Sequence, residues 1–461
     1  MPDEAAVPER PATFREVFAS REYRYLFSAT LLSWCGDYLA KAAVTALVFA
    51  QTRSVVLSAA AFALSYLPWI AGGPVLAAMA EHRPFRTVMV TSDLLRAGLM
   101  CLVALPGMPV PAMLALLFAA ALANPPFEAA RSAVLPQILT GDRYVVGLSL
   151  HSSTSQAAQL VGYLGGGALA PFYPRLALLL NAATFVASAA LVRYGIADRR
   201  PIGLPAQRRR LLAETADGFR VVFGTRVLRA IAMVVFASML FSIVPEGLAA
   251  AWAAKLAASD SARGWTQGLI MVAKPLGVIT GSLTVARLIR PDLRRRLVPP
   301  FTVLAPLALV PALADPGVWA LVLMGMVCGA AIAGMLPTAN GLFVQALPAG
   351  YRARAYGVMQ GGMQVIQGSA VLVTGALADR FSVPAVVGWW SLAGVVLLFL
   401  IALRWPNGDE FAKAAAAARA VERDAAGTAE APGAAATAPA RVPARRAAMD
   451  DSRDAAGTME R

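Results

Sequence analysis

Runs of about 20 apolar residues, the length that crosses roughly 30 Å of hydrocarbon as a helix, recur along the whole chain between short polar interruptions. Nothing else restricts the fold as much, because a segment in lipid has no water to satisfy its backbone and closes its hydrogen bonds within itself. Twelve such runs can be drawn, at 25–50, 54–80, 87–106, 110–130, 147–172, 174–196, 228–252, 264–289, 297–314, 317–345, 354–378 and 383–404. They predict an all-α integral membrane protein with twelve transmembrane helices in two six-helix, pseudo-symmetric halves. With 58% hydrophobic and only 15% charged residues, the composition does not suit a soluble protein of this size. The first 24 residues, MPDEAAVPERPATFREVFASREYR, show neither a short apolar core nor a small-residue cleavage pattern, so the first span is expected to serve as its own insertion signal.

A formal charge of +14 invites a nucleic-acid reading, but the basic residues gather between spans. Arg83 and Arg86 lie in the 81–87 turn, Arg131 and Arg143 in the 131–146 loop, Arg208, Arg209 and Arg210 in the 197–227 loop, and Arg294, Arg295 and Arg296 before the ninth span. Intervening loops, such as PGMP at 106–109, are nearly uncharged. This alternation predicts a multi-pass protein of the cell (inner, cytoplasmic) membrane with both termini in the cytoplasm, partnered by the lipid bilayer and not by nucleic acid.

The long polar stretch at 197–227 divides the chain into a cytoplasmic N-terminal segment (1–24), a first six-helix half (25–196), a cytoplasmic linker (197–227), a second half (228–404) and an Ala-, Pro- and charge-rich tail (405–461) expected to be disordered, with room for one frayed helix at its start. An internal repeat supports the division. Gln156-Ala-Ala-Gln159 and Gly167-Ala-Leu-Ala170 return 208 residues later as Gln364-Val-Ile-Gln367 and Gly375-Ala-Leu-Ala378, which makes the fifth and eleventh spans equivalent.

Charges inside the spans are the candidate functional residues. Asp37 lies roughly 18 Å into the first span and Lys41 one turn deeper, near the midplane. A charge there costs at least about 3 kcal/mol, so both side chains are expected to face the bundle interior. Their spacing of four allows them to pair on one helical face, either as a structural ion pair or as a proton or substrate site. Lys274 in the eighth span and Glu246 in the seventh present the same choice and can pair across adjacent helices. Asp93 and Arg96 in the third span, three residues apart, point to structure or gating. Glu128 and Arg131, at the inner end of the fourth, fall within reach of the 81–87 turn. Gln156, Gln159, Gln364 and Gln367 suit interhelical bonds or cavity lining equally well. His151 reads as a satisfied polar residue.

Several functions are excluded. Cys35, Cys101 and Cys328 all lie in apolar runs and give no metal-ligand or disulfide pattern. With only His82 and His151, no HExxH or Ser-His-Asp constellation is available for an intramembrane enzyme, and no GxxxxGK[ST] loop binds nucleotide. No cofactor is expected, and a proton gradient is the expected energy source.

The segments GDYLAKAAVTALVF (36–49), LPWIAGGPVLAAMAEHRPFRTVMVTSDLLRA (67–97), PPFEAARSAVLPQILTGDRY (125–144), QAAQLVGYLGGGALA (156–170), VPEGLAAAWA (244–253) and QALPAGYRARAYGVMQ (345–360) carry a family likeness. Over roughly residues 14–404 the chain resembles a proton-driven drug and siderophore exporter of the major facilitator superfamily, similar to actinobacterial macrolide-efflux and enterobactin-exporter-like members. The superfamily's signature after the second span falls on Ala77, Glu81, His82, Arg86 and Thr87, where the acid and one arginine remain while the glycine and two basic positions are lost. The resemblance implies that this turn locks the halves on the cytoplasmic side, with Glu81, Arg86 and Glu128 as the expected gate. It also relates Gly162, Gly165, Gly166 and Gly167 to the antiporter glycine motif of the fifth span, here without its proline; tight helix packing explains these glycines equally well. Relatives usually carry an uncharged residue at the Lys274 position, which makes Lys274 a candidate for substrate preference. The expected function is proton-coupled export of small, amphipathic molecules by a monomer; the alternatives are a uniporter or importer of a small metabolite and a transport-inactive sensor or scaffold.

Overall fold

A computed structural model of the chain describes residues 13–68, 83–199, 208–348 and 351–420, and these are almost wholly helical. A short helix α1 (Phe14–Ala19) precedes α2 (Arg21–Thr52), the first span. The second span begins with α3 (Val55–Ala63). The third is α4 (Phe85–Val103), the fourth α5 (Val110–Leu122) with α6 (Asn124–Ile138), the fifth α7 (Asp142–Leu169) and the sixth α8 (Pro174–Gly195). After α9 (Arg208–Gly224), the seventh span is built from α10 (Arg226–Ser242), α11 (Val244–Gly247) and α12 (Ala249–Leu256). Then follow α13 (Asp260–Leu288), α14 (Pro291–Leu307) with a 3₁₀ turn (Val310–Ala314), α15 (Val318–Gln345), α16 (Arg352–Ala378) and α17 (Val383–Leu403).

Among the described residues nine spans are long and apolar enough to cross a bilayer by length and composition. The second, third and fifth spans complete the twelve for definite reasons. Part of the second lies outside the described residues, α4 carries Arg86, Asp93 and Arg96, and α7 is rich in Ser, Thr and Gln. Polar side chains lower the hydropathy of a helix that turns one face to the protein interior.

Prolines set the internal breaks. Pro125 and Pro126 restart the fourth span as α6 after Ala123, which extends it to Ile138, beyond the expected end near 130. Pro245 opens α11, so that Glu246 sits on a single turn between two breaks in the seventh span. Serines at the N-caps close other helices: Ser20, Ser54 and Ser259 accept hydrogen bonds from the backbone N–H groups of Tyr23, Leu57 and Ala262.

The linker and the start of the tail are helical in part. Residues 208–224 of the linker form α9, where Gly218 packs against the backbone of Arg354. Residues 408–420 of the tail are helical because Phe411 stacks on Trp405 at 5.6 Å and Glu410 pairs with Arg226 at 2.6 Å. The rest of the tail, residues 421–461, lies outside the described residues, as do residues 1–12 of the N-terminal segment.

Both halves place their termini on one face, here the terminal face. They touch through α7 against α13 and α3 against α16, the pairing a pseudo-two-fold relation requires of the second, fifth, eighth and eleventh spans. Specific contacts between halves gather toward the opposite face. A side chain at Gly167 would begin 2.7 Å from the Gly264 carbonyl oxygen and 2.8 Å from the Gly268 Cα, so α7 and α13 approach at backbone distance. The Asp379 carboxylate, at the end of α16, accepts from the Val55 N–H at 2.7 Å and the Val56 N–H at 3.3 Å, capping α3 of the other half. Gln267 of α13 donates to the Ala42 carbonyl at 2.8 Å and Thr45 Oγ1 at 3.0 Å.

This close approach yields a prediction. In a chain whose Cys35, Cys101 and Cys328 are replaced by alanine, Gly167→Leu should wedge the halves apart and expose an introduced Ala170→Cys to a membrane-impermeant maleimide, several-fold faster than without the wedge. An unchanged labelling rate would show that the contact does not hold this end closed.

Candidate functional site: a charged cavity in the first half

Along α2, Trp34, Asp37, Tyr38, Lys41 and Val44 recur at three- and four-residue intervals, so one helical stripe faces the same space. That space is a cavity of about 290 Å³, walled also by Ser65 and Tyr66, Arg96 and Met100 of α4, Asn124, Gln159 of α7, Asn181 and Phe185 of α8, and Gln364 and Gln367 of α16. It reaches from the first half to the eleventh span of the second. Gln156 is not among the lining residues.

The charges pair differently from the sequence expectation. Asp37 is not bridged to Lys41 on its own helix. Its Oδ2 instead receives Arg96 Nη2 at 2.5 Å, across from the third span. Arg96 also lies 3.6 Å from Asp93 Oδ1, 3.4 Å from Ser33 Oγ, and with its guanidinium carbon 4.0 Å above the Phe185 ring. It therefore ties α2, α4 and α8 together and forms part of the cavity wall. The reason is geometric: four-residue spacing brings two side chains to one face, but the planar fork of arginine and its weaker hydration favour the pair in a buried setting. Asp93 is fully buried, with Arg96 as its charged neighbour.

Lys41 is left with aromatic partners. Its Nζ lies 5.4, 5.5 and 4.8 Å from the ring centres of Tyr38, Phe62 and Tyr66. Ring faces carry partial negative charge and attract a cation.

Glu246 and Lys274 are in contact across the seventh and eighth spans, Nζ to Oε1 2.6 Å, with Glu246 only 3% exposed. Tyr163 of α7 donates to Glu246 Oε2 at 3.3 Å, which links the pair to the first half. Gly325 and Gly329 let α15 close over this site, since a side chain at Gly329 would collide with the Lys274 carbonyl. The pair borders a separate void of about 20 Å³, too small for a substrate, so Lys274 does not face the main cavity.

A second cluster joins Arg131, Glu128 and His151, and the Arg86–Glu128 pair is not formed. Arg131 Nη2 holds Glu128 Oε2 at 2.6 Å, its Nη1 lies 2.9 Å from His151 Nδ1, and the His151 ring meets Trp34 edge-on at 4.5 Å. Arg86 turns away from Glu128 to Asp198, at 3.2 Å, and to the Ile196 carbonyl, at 3.5 Å. Ala77, Glu81 and His82 lie outside the described residues. Among the fifth-span glycines, a side chain at Gly162 would begin 2.5 Å from Tyr38 Cβ and one at Gly166 2.6 Å from the Leu39 carbonyl, while Gly165 has only an ordinary contact with Leu39. Gly162 and Gly166 thus seat α7 on α2, Gly167 seats it on α13, and α7 runs through them without a break.

Sequence reasoning did not single out Tyr66, Asn181, Phe185, Gln267 or Asp379. Gln267 and Asn181, polar residues inside apolar runs, carried a signal that could have marked them.

The comparisons agree with this architecture. Residues 26–254 match the family model described as Major Facilitator Superfamily, a stretch that takes in the first six spans, the linker and most of the seventh. No curated protein matches the chain by sequence. Similar solved structures include a peptide transporter POT in complex with sulfate, at 17% identity, covering 86% of this chain and 96% of that one with a TM-score of 0.63. A bacterial homologue of the iron transporter ferroportin in an inward-facing state is 15% identical, over 86% of this chain and 99% of its own, with a TM-score of 0.61. The nucleoside transporter NupG, as a mutant, is 16% identical, over 83% and 100%, with a TM-score of 0.62. The chain therefore has the all-α, two-half membrane fold of Major Facilitator Superfamily transporters.

The buried Glu246–Lys274 pair is open to a direct test. Lys274→Met leaves Glu246 without its counter-charge and should cost about 3–5 kcal/mol, lowering the melting temperature, whereas adding Glu246→Gln should restore most of it. A single variant as stable as the parent would mean that the pair contributes nothing to the fold.

Proposed function

We propose that this chain is a secondary active transporter that works by alternating access and exports small, amphipathic molecules in exchange for protons. The observation that carries the reading is a cavity of about 290 Å³ that holds ion-paired charges and is walled by both six-helix halves. A chain that needed only packing would save free energy with apolar residues of equal volume, since a buried ion pair rarely repays its desolvation. Contacts between the halves at the face opposite the termini support a state closed on that side, with the Asp379 cap and the Gly167 approach as parts that must separate when it opens. With the termini in the cytoplasm of an inner-membrane protein, that side is the outer one.

Asp37 is the proposed coupling carboxylate. Its side chain is 29% exposed and lines the cavity, so a proton can reach it, and its partner Arg96 can be released to Asp93 when Asp37 is protonated. Export is the direction favoured by the sequence likeness; the fifth-span glycines make packing contacts and do not bear on it. Glu128, Arg131 and His151 lie nearer the terminal face, where their cluster would help to close the inner side.

In proteoliposomes carrying a pH gradient, Asp37→Asn should abolish gradient-dependent movement of any transported compound found by a growth screen, while binding of that compound persists. If Asp37→Asn still concentrates the compound against its gradient, Asp37 is not the coupling site. If it merely unfolds the protein and Arg96→Leu rescues it, the pair is structural.

A further inference from the structure

Lys41, Arg96 and Lys274 balance Asp37, Asp93 and Glu246 in number, but the pairing leaves Lys41 without a carboxylate of its own. The two carboxylates close enough to act on the Lys41 charge are Asp37 and Glu246. Each is already held by a different cation, Arg96 at 2.5 Å and Lys274 at 2.6 Å. Lys274 also acts on Lys41, with like sign. Asp93 lies fully buried behind Arg96 and does not line the cavity. Among the described residues no carboxylate comes within 4.0 Å of Lys41, whose Nζ lies against three aromatic rings. Ring faces offset part of the cost of an ammonium in a mostly apolar wall, but they do not supply a counter-ion.

The remaining walls define the rest of a ligand. Trp34, Met100, Leu117 and Phe185 offer apolar surface, and the amides of Gln159 and Gln364 can hydrogen-bond a polar edge. We infer that the cavity takes an organic monoanion, a carboxylate or comparable oxyanion on an apolar, ring-sized body, with Lys41 as its counter-ion. The inference rests on the transport reading for its biological sense, but its physical content is a charge preference of the binding cavity. Lys41, not Lys274, then decides the sign of charge accepted, because Lys274 is spent on Glu246 beside a void of only about 20 Å³. A cationic ligand would place like charge against Lys41 and would have to compete with Arg96 for Asp37.

The test uses 2-naphthoate and its uncharged isostere 2-naphthamide, titrated into the full chain in uncharged-lipid nanodiscs. The expected result is that the anion binds at least about tenfold tighter than the amide, that Lys41→Met brings the two within about twofold, and that Lys41→Arg keeps the preference. Equal binding of both probes, a preference that survives Lys41→Met, or binding of neither probe at millimolar concentration would overturn the inference. Should Lys41→Met fail to fold, the wild-type comparison of the two probes decides alone. Flux of the probes across proteoliposomes is read separately: selective binding without flux would count against transport and leave the charge preference intact.

Discussion

A guanidinium buried among three helices is the constraint from which the first half takes its form. Arg96, with a side chain 5% exposed, holds Asp37 at 2.5 Å and Asp93 at 3.6 Å and covers the Phe185 ring. Arginine stays charged in a protein, so its burial obliges the fold to bring carboxylates and a ring face to it. Satisfying Arg96 fixes α2 against α4 and α8, and that placement opens the Trp34–Val44 stripe onto a cavity. It also removes Asp37 from the reach of Lys41. The lone ammonium is a consequence of the stronger pair beside it.

The second half solves a similar problem with a broken helix. Pro245 interrupts the seventh span so that Glu246 sits on a single turn facing Lys274, with Tyr163 of the first half as an additional donor. Glycines then allow the neighbouring helices to close over these charges, Gly329 over the Lys274 backbone and Gly162 and Gly166 over α2. Small residues at crossings matter in a bilayer because lipid tails are as apolar as side chains, and helices associate through close contact and polar bonds. The same device at Gly167 joins the two halves, where Gln267 and the Asp379 cap add hydrogen bonds.

The architecture was legible because span length and loop charge are set by the bilayer, which acts on each segment independently. The contact of Glu246 with Lys274 was one that the sequence allowed, since two charges in adjacent apolar spans gain by meeting. What could not be read was the choice of partner across helices. Asp37 had Lys41 four residues away, and sequence spacing gives no sign that Arg96, 59 positions distant, would reach it first. Arg86 likewise found Asp198 in preference to Glu128. Polar residues of the linker concealed the helix at 208–224, while a helix at the start of the tail was allowed for; its contact of Phe411 with Trp405 becomes visible only in three dimensions.

The account turns on Asp37 belonging to Arg96 and Lys41 standing free. Thermal melts of the purified chain in nanodiscs, taken as two double-mutant cycles, measure this directly: Asp37→Asn with Arg96→Leu, and Asp37→Asn with Lys41→Met. The account predicts a coupling of about 2–3 kcal/mol between positions 37 and 96 and under about 0.5 kcal/mol between 37 and 41. The reverse order, with strong coupling of Asp37 to Lys41 and none to Arg96, would contradict it.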